Sequence, residues 1–336
     1  MRGAARRFER TESANLIVSN LRFRHLQRLD DIPASHWDAL FDPGYPFTRH
    51  AWLSRLERHG CVGPSQGWAS HHLIAEDEAG ACVAAMPLYL KQHSYGEFVF
   101  DFAWADASHR LGHPYYPKLL CAVPFVPSSG PRLGARDASA RQALSAHLQA
   151  LGQQEPVSSS HLLFANDEDT PALRRAELLE RHDVQFHWQR HGHADMRAFL
   201  ASLNSEKRKK LQRERRRVTE AGIGFEIGRG RDLSAQQWDC IHALYANTYL
   251  ERGQLPYFSR EFLADIGCCP DLDLRLVVAV HQQHWVAMAM VVVGGDTLYG
   301  RHWGASEHYH SLHFECCYYQ GIELCLREGL QRFDAG

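Results

Sequence analysis

Five residues of one long connecting segment have side chains suited to recognising and activating a substrate. Tyr115, Tyr116 and Lys118 would combine flat apolar walls with a point charge, which suits a ligand that carries phosphate or carboxylate. Arg132 would add a bidentate clamp for such an anion, and Glu97 would accept a proton from an amine or orient it. The alternative is a proline-stiffened lid whose aromatic side chains fill a gap between domains.

A second candidate group lies in the stretch TLYGRHWGA and in the helix predicted after it. An amine acceptor would attack a donor carbonyl held beside this strand, with catalysis resting on positioning and on stabilising the developing oxyanion. Backbone N–H groups at the start of the helix would meet a pyrophosphate. The candidate catalytic residues are Tyr299, Arg301 and Glu315, and the substrate-binding candidates here are Trp303, His313 and Gln320. The histidines near the helix start have no standard metal-ligand spacing, so no metal is expected.

A third candidate is a polar helix predicted over residues 199–222. Between Lys207 and Arg217 it carries eight Lys or Arg residues and one acid, so it cannot be a core helix. Lys207, Arg208 and Arg213 are the candidate phosphate-binding residues, and tRNA is a candidate partner of this helix. The alternative is a solvated linker helix.

Composition limits the classes of protein to which the chain can belong. A length of 336 residues, 45% of them hydrophobic, suggests about two domains. A net charge of −2 gives no overall attraction to nucleic acid or membrane. The longest apolar run, 285–293, is too short to span a bilayer, and the Arg-rich N-terminus lacks the apolar stretch of a secretory signal. Nine cysteines, an odd number, argue against a disulfide scaffold and favour a reducing cytoplasm.

The order of the predicted elements occurs twice along the chain: strand, two helices, three strands, helix, strand. In the first copy these elements are predicted over 16–26, 33–41, 48–60, 71–77, 81–93, 96–106, 138–152 and 159–167. In the second copy they are predicted over 223–228, 234–251, 259–267, 274–280, 285–294, 297–305, 313–329 and 332–336. The first copy continues into a helix over 171–182 and a strand over 184–190, so the second domain is expected to be incomplete at its C-terminus. The predicted domains are 1–198 and 223–336, joined by the basic linker helix 199–222.

Several co-linear motifs make the chain similar to a known family. They are HSYGEFVFDFAWADA, YYPKLL, QFHW, LYGRHWGA and LHFECCYYQGIE. These motifs resemble those of the bacterial peptidoglycan biosynthesis/recognition proteins, also called Fem-like, of the GNAT N-acetyltransferase superfamily. The resemblance implies an α/β (α+β) fold of two GNAT-like domains in tandem, with mixed sheets flanked by helices. Fem-type relatives pass an amino acid from aminoacyl-tRNA to the peptide stem of a cell-wall precursor.

The same resemblance implies an acyl- or aminoacyltransferase that acts on an amine acceptor such as a cell-wall precursor. Acyl-CoA or aminoacyl-tRNA would be the donor, and no tightly bound cofactor is expected. The glycine-rich loop of ordinary acetyl-CoA enzymes is absent from the sequence, which argues against plain acetyl-CoA. The helical arm of Fem enzymes is also absent, since Gly222 leads directly into a predicted strand. The alternative is a catalytically degenerate module that binds a peptidoglycan precursor or another anionic ligand.

Overall fold

The computed structural model describes residues 20–154 and 156–336. The Arg-rich N-terminal segment and the first residues of the strand predicted over 16–26 lie outside the described residues. The described part of that strand is β1 (Arg22–Leu26). The protein is mixed α/β, as the sequence predicts, with helices packed against mixed sheets.

The first half of the chain alternates short strands with helices. Its further strands are β2 (Trp68–Ser70), β3 (His72–Glu76), β4 (Cys82–Met86), β5 (Leu88–Lys91), β6 (Lys118–Cys121), β7 (Gly134–Ala135), β8 (Ser160–Leu162) and β9 (His187–Gln189). Its helices are α1 (Ala34–Asp38), α2 (His50–Arg58), α3 (Phe102–Arg110), α4 (Ala138–Gln154) and α5 (Thr170–Arg175). The apolar run predicted as one strand over 81–93 is divided at Pro87, because proline has no N–H to donate to a strand ladder. As a result, β4 and β5 belong to different sheets.

The second half begins with two helices and ends in a strand. Its helices are α6 (Met196–Ser202), α7 (Ser205–Glu220), α8 (Ala235–Leu250), α9 (Arg260–Cys268), α10 (Leu312–Phe314) and α11 (Gln320–Glu328), with a π-helical segment (Glu315–Tyr319) between the last two. Its strands are β10 (Ile223–Arg229), β11 (Asp273–His281), β12 (His284–Gly294), β13 (Thr297–Ala305) and β14 (Arg332–Asp334). The helix predicted over 313–329 is therefore confirmed, with one π-helical turn inside it.

The two halves share one order of strand pairing, in agreement with the predicted tandem GNAT-like fold. In the second half β10, β11, β12 and β13 are antiparallel neighbours, and β14 joins β13 in parallel after the crossover through α11. In the first half β1, β3 and β4 are antiparallel neighbours, and β8 joins β6 in parallel after the crossover through α4. The first copy differs because its strands form two four-stranded sheets, β1-β3-β4-β7 and β2-β5-β6-β8.

The prediction of a strand over 96–106 is wrong. After β5 the chain turns at Gly96, which has a φ of +80°, and then enters α3. The third strand of the first copy is β6, from a stretch for which the sequence predicts no regular structure. The alternation of apolar residues in GEFVFDFAWAD is typical of a half-buried strand, yet its aromatic side chains are exposed rather than packed on a core.

The polar helix predicted over 199–222 is two helices rather than one. α6 ends at Ser202, and the Asn204 side chain caps α7 by accepting a hydrogen bond from the backbone N–H of Lys207 at 2.9 Å. Gly222 follows α7 with a φ of +75°. Ser234 begins α8 with a reciprocal capping box, in which the side chains of Ser234 and Gln237 each accept a hydrogen bond from the other residue's backbone N–H.

A continuous aromatic core joins the two halves. Trp52 of α2 meets the rings of Phe258 and Phe262 edge-on, and Phe47 meets Tyr299 of β13 in the same way. Strand β9 also crosses between the halves, because it pairs with β14 at the edge of the six-stranded sheet. The domain boundaries at residues 198 and 222 stay a prediction.

Candidate active site

A buried charge cluster lies where β5, β6 and the turn after β5 meet. Lys118, the first residue of β6, lies opposite Lys91 of β5, and its side chain is fully buried. Its ammonium donates to Glu97 Oε2 at 2.8 Å, to Asp101 Oδ2 at 2.6 Å and to Ser94 Oγ at 3.0 Å. Ser94, Glu97, Asp101 and Lys118 form what we call the acid–lysine cluster.

Two tyrosines border the acid–lysine cluster. The Tyr115 hydroxyl donates to Asp101 Oδ2 at 2.8 Å, and the Tyr116 hydroxyl shares a 2.7 Å hydrogen bond with Ser94 Oγ. Burial raises the pKa of both phenols, and the bond to Asp101 raises the pKa of Tyr115 further. Both tyrosines therefore keep their protons at neutral pH, and Tyr115 uses its proton to donate to the Asp101 carboxylate.

The two carboxylates of the cluster have different acidities. Burial raises the pKa of Glu97, and the attraction of Lys118 offsets only part of that effect. Burial also disfavours the charge on Asp101, but hydrogen bonds from Lys118 and Tyr115 outweigh it and leave the pKa of Asp101 below its usual range. Glu97 is therefore the carboxylate that accepts a proton more readily, while Asp101 stays ionised.

One oxygen of each carboxylate has no partner. Glu97 Oε1 and Asp101 Oδ1 are buried, and no hydrogen bond from another described residue reaches either atom. A buried carboxylate oxygen without a donor is unfavourable by about 1–3 kcal/mol. Each carboxylate therefore keeps one unused hydrogen-bond acceptor beside the Lys118 ammonium.

Burial lowers the pKa of two basic side chains near the acid–lysine cluster. Burial lowers the pKa of Lys91 to about 7, and its ammonium lies 3.7 Å from the ring centre of Trp68. Burial and the nearby Lys118 charge lower the pKa of His161 to about 4. At neutral pH His161 is therefore uncharged, whereas Lys91 still carries part of its charge and acts on the cluster together with Lys118 and Asp101.

Arg132 is fully buried and its guanidinium is occupied by the protein itself. Nε donates to the carbonyl of Leu163 at 3.0 Å, and Nη2 donates to the carbonyl of Ser128 at 2.6 Å. The Arg132 backbone N–H donates to Asp169 at 2.6 Å. These bonds attach the loop that contains Ser128 to the end of β8 and leave the fork of Arg132 engaged with backbone.

Tyr299 and Arg301 of β13 lie at the contact between the two halves. The buried guanidinium of Arg301 pairs with Asp334 of β14 at 3.1 Å and lies 5.0 Å from the ring centre of Phe47. Asp334 also accepts a 2.7 Å hydrogen bond from the hydroxyl of Ser128. The same loop is thus held by Arg132 of the first half and, through Asp334, by Arg301 of the second.

Glu315 belongs to a separate cluster, in the π-helical segment. Arg215 of α7 pairs with Glu315 at 2.9 Å and with Glu323 at 2.9 Å, and the Gln320 amide donates to Glu315 at 2.8 Å. The described contacts of Glu315 do not include Tyr299, so the three predicted catalytic residues are not brought into one group. π-Helical turns are frequent at functional sites, and this turn places Glu315 under α7.

Trp303 and His313 contact each other near the start of the last helix. Their ring centres are 5.2 Å apart and the rings meet edge-on. Burial lowers the pKa of His313, so this imidazole is neutral at physiological pH. The contact lies beyond the pair formed by Tyr299 and Arg301 along β13.

The cations of α7 divide between surface and interior. Lys207 and Arg213 are exposed, and Arg208 is half-buried. Leu211 supplies the buried side of the helix, while Arg215 turns inward to its acidic partners. The remaining basic side chains face outward, as the sequence predicts for a helix that is not part of a core.

Several residues of these clusters were not predicted from the sequence. They are Ser94, Asp101, Arg215 and Asp334. Asp101 offers a weak signal, because it lies in the same segment as Glu97. Asp334 and Arg215 offer none, because their partners are distant in sequence and only strand pairing or helix packing brings them together.

No helix among the described residues is long and apolar enough to cross a membrane. The same residues contain no group of three or more His, Cys, Asp or Glu side chains placed to hold a metal ion.

Comparison with known proteins agrees with this architecture. The family of FemAB-like proteins, described as peptidoglycan biosynthesis/recognition, matches residues 28–336. A comparison with curated proteins finds no match. One similar solved structure is that of FemX, with 12% identity and a TM-score of 0.51, and the match covers 93% of this chain and 88% of that chain. L-PGS from Bacillus licheniformis is also similar, with 11% identity and a TM-score of 0.51, and the match covers 83% of this chain and 73% of that chain. A conserved protein of unknown function from Bacteroides thetaiotaomicron has 10% identity and a TM-score of 0.51, and the match covers 93% of this chain and 89% of that chain. At such identities the likeness shows the fold alone, whereas the family match extends over nearly the whole chain. The chain therefore belongs to the FemAB-like family of peptidoglycan biosynthesis and recognition proteins.

Proposed function

We propose that the protein is an acyl- or aminoacyltransferase that modifies an amine of a peptidoglycan precursor in the cytoplasm. The observation that carries the proposal is the unpartnered pair of buried oxygens, Glu97 Oε1 and Asp101 Oδ1, beside Lys118. Membership of the family supports a cell-wall precursor as the acceptor. The nine free cysteines agree with a reducing compartment.

The acid–lysine cluster can bind and activate the acceptor. An incoming ammonium donates to Glu97 Oε1 and Asp101 Oδ1, and Glu97 then takes one of its protons. The freed nitrogen lone pair attacks the donor carbonyl carbon and forms the C–N bond. The ester or thioester bond of the donor breaks, and its electron pair leaves on oxygen or sulfur, which receives the proton from Glu97. The attacking nitrogen loses its second proton to solvent through Glu97, which leaves the neutral amide. Tyr115 and Tyr116 orient the acceptor through their hydroxyl groups.

The donor in this proposal is aminoacyl-tRNA, with acyl-CoA as the simpler alternative. Lys207, Arg208 and Arg213 of α7 provide the phosphate contacts, because they lie on the outward side of a helix rich in cations. Tyr299, Arg301 and Glu315 are assigned positioning roles: Arg301 holds the loop at Ser128 through Asp334, and Glu315 fixes α7 through Arg215.

The test is transfer to a muramyl pentapeptide that has a free side-chain amine. The purified protein is incubated with charged tRNA or with acyl-CoA, and the mass increase of the peptide is measured. Glu97→Gln keeps the volume of the side chain but removes the proton acceptor, so kcat should fall by about 100-fold. The wild-type rate should rise with pH through a pKa above the usual range of a glutamate, and this acidic limb should vanish in Glu97→Gln.

Glu226→Gln is the matched control, because Glu226 is an exposed carboxylate on β10 and lies outside the acid–lysine cluster. Its rate and pH profile should equal those of the wild type. Full activity in Glu97→Gln, or an equal loss in both variants, would contradict the assignment of Glu97 as the proton acceptor.

A recognition module that binds the precursor without turnover is the second candidate. It is favoured by the ion pairs of Arg301 with Asp334 and of Glu315 with Arg215, which tie both side chains to partners inside the protein. Saturable binding of the muramyl peptide, weakened by Glu97→Gln but without product from either donor, would support this candidate over the transferase.

A further inference from the structure

A polar pocket lies at the edge of the six-stranded sheet, where three segments of the chain meet. Its walls are the end of β9, the start of β14 and the turn between β12 and β13. The volume of the pocket is about 350 Å³, which is at the small end of the range for ligand sites. We call it the arginine pocket, and the residues that line it are Gln189, Arg190, His191, Asp296, Gln331 and Arg332.

Backbone hydrogen bonds hold the three segments of the arginine pocket in a fixed arrangement. The N–H of Arg190 donates to the carbonyl of Gln331 at 2.9 Å, and the N–H of Gln331 donates to the carbonyl of Asp296 at 2.8 Å. Arg332 lies opposite Gln189 in the antiparallel pair of β14 and β9. The pocket is therefore preformed, so a ligand does not have to order a loop when it binds.

The two guanidinium groups of the pocket have neutral partners. Arg190 Nε donates to the carbonyl of His193 at 3.1 Å, and no described residue accepts a hydrogen bond from the two terminal nitrogens of Arg190. Arg332 Nε donates to the hydroxyl of Thr297 at 3.2 Å, and the hydroxyl of Tyr299 is a further neutral partner of Arg332. In the part of the chain that the structure describes, neither guanidinium forms an ion pair with a carboxylate. Both therefore keep their charge and unused N–H donors for an anion.

One carboxylate and one amide of the pocket can bind hydroxyl groups. Asp296 Oδ1 accepts a hydrogen bond from the Thr297 hydroxyl at 3.1 Å, whereas no described residue donates to Oδ2. The side-chain amide of Gln189 likewise has no hydrogen-bond partner among the described residues. Two arginines and one acid give the pocket a formal charge of +1 with His191 neutral. This charge favours an anion, while the acid disfavours a ligand that is anionic over its whole length.

We propose that the arginine pocket binds a small phosphate ester that also carries hydroxyl groups, that is, a phosphorylated polyol. Arg190 and Arg332 bind the phosphate, because a guanidinium presents N–H donors in a fork that matches two phosphate oxygens. Asp296 Oδ2 and the Gln189 amide bind the hydroxyl groups. The arginine pocket shares no residue with the acid–lysine cluster, so the proposal does not depend on the proposed transferase function.

The test is isothermal titration calorimetry of the full chain with glycerol phosphate, inorganic phosphate and glycerol. Glycerol phosphate should bind most tightly, inorganic phosphate should bind more weakly, and glycerol should give no measurable heat of binding. Arg190→Gln and Arg332→Gln should each weaken the binding of glycerol phosphate by at least roughly tenfold, because each variant loses charge-assisted hydrogen bonds. Arg231→Gln is the matched control, since Arg231 is exposed outside the pocket and its loss should leave the affinity unchanged.

Asp296→Asn tests the two parts of the ligand separately. Asparagine removes the negative charge but keeps an oxygen that can accept the hydrogen bond from Thr297. Inorganic phosphate should therefore bind this variant at least as tightly as the wild type, while the advantage of glycerol phosphate over inorganic phosphate should shrink. Retained phosphate binding also shows that the variant is folded, and the urea midpoints of the two arginine variants serve the same purpose.

Three outcomes would overturn the proposal. The first is wild-type protein that does not bind glycerol phosphate. The second is equal affinity of the wild type for glycerol phosphate and inorganic phosphate, which would remove the role of Asp296 and Gln189. The third is unchanged affinity for glycerol phosphate in folded Arg190→Gln and Arg332→Gln, which would place the phosphate at another cationic part of the protein.

Discussion

Replacement of Lys118 by methionine tests the electrostatic account of the acid–lysine cluster. Methionine keeps the length and apolar stem of the side chain but removes the ammonium and its three hydrogen bonds. Glu97 and Asp101 would then share a buried space without a cation. Removing one partner of a buried ion pair destabilises the folded state by about 3–5 kcal/mol, because it leaves uncompensated charge.

The loss should depend on pH in a defined direction. Without Lys118, burial and mutual repulsion raise the folded-state pKa values of Glu97 and Asp101 above their unfolded values of about 4. A raised folded-state pKa contributes stability that is present below the unfolded pKa and is lost as the pH rises through the folded pKa. The deficit of Lys118→Met relative to the wild type should therefore be small in acid and reach its full size at neutral and alkaline pH.

The measurement is urea unfolding followed by tryptophan fluorescence at about pH 5 and about pH 8, with the midpoint compared at unchanged slope. Lys209→Met is the matched control, because Lys209 is exposed on α7, and its midpoint should stay near that of the wild type. Adding Glu97→Gln to Lys118→Met should restore part of the stability at the higher pH. A deficit below about 1 kcal/mol at pH 8, or a larger deficit at pH 5, would refute the reasoning.

Three further variants, two single and one double, test other parts of the structure. Gly304→Ala should destabilise the folded state by about 3 kcal/mol in the same urea assay, because the added Cβ would lie 2.0 Å from the carbonyl oxygen of Leu244. Gly224→Ala is the control, because a Cβ at that position meets open space and should leave the stability nearly unchanged. Ser234→Ala should cost about 1 kcal/mol through loss of the capping box of α8, and an unchanged melting temperature would contradict that role. Lys207→Glu combined with Arg213→Glu should weaken tRNA binding and reduce the salt dependence of that binding. Arg231→Glu combined with Arg327→Glu makes an equal charge change at other exposed positions and should leave tRNA binding unchanged. Equal effects of the two double variants would mean that α7 has no specific role in tRNA binding.

Much of the fold can be predicted from local sequence patterns. Long apolar runs such as 285–294 and the repeated order of elements predict the strands and helices of the second half, and the structure confirms them. The failure over 96–106 has a physical origin. Phe98, Phe100 and Phe102 alternate as in a strand, but period alone does not tell whether a sheet is present to bury them.

The grouping of side chains was less predictable than the elements. Glu97 and Lys118 were each recognised as candidates, and both lie in the acid–lysine cluster, although the sequence does not reveal that they pair. Arg132 was recognised from its charge, yet its bonds to backbone carbonyls follow from the path of a loop that only the folded chain defines. The type and charge of a residue indicate which hydrogen bonds and ion pairs it can form, but they do not indicate whether partners inside the protein already use them.

The sequence by itself determined the tandem architecture, the family and the basic character of α7, because periodicity, caps and co-linear motifs are local properties of the chain. Only the tertiary structure decided which charges meet. Lys118 acquires its two acids where the turn after β5 folds over β6, and Arg301 acquires Asp334 through the parallel pairing of β13 with β14. The exposure of Phe98, Phe100 and Phe102 was likewise decided by the packing of the whole chain, since a side chain is exposed or buried only with respect to the elements around it.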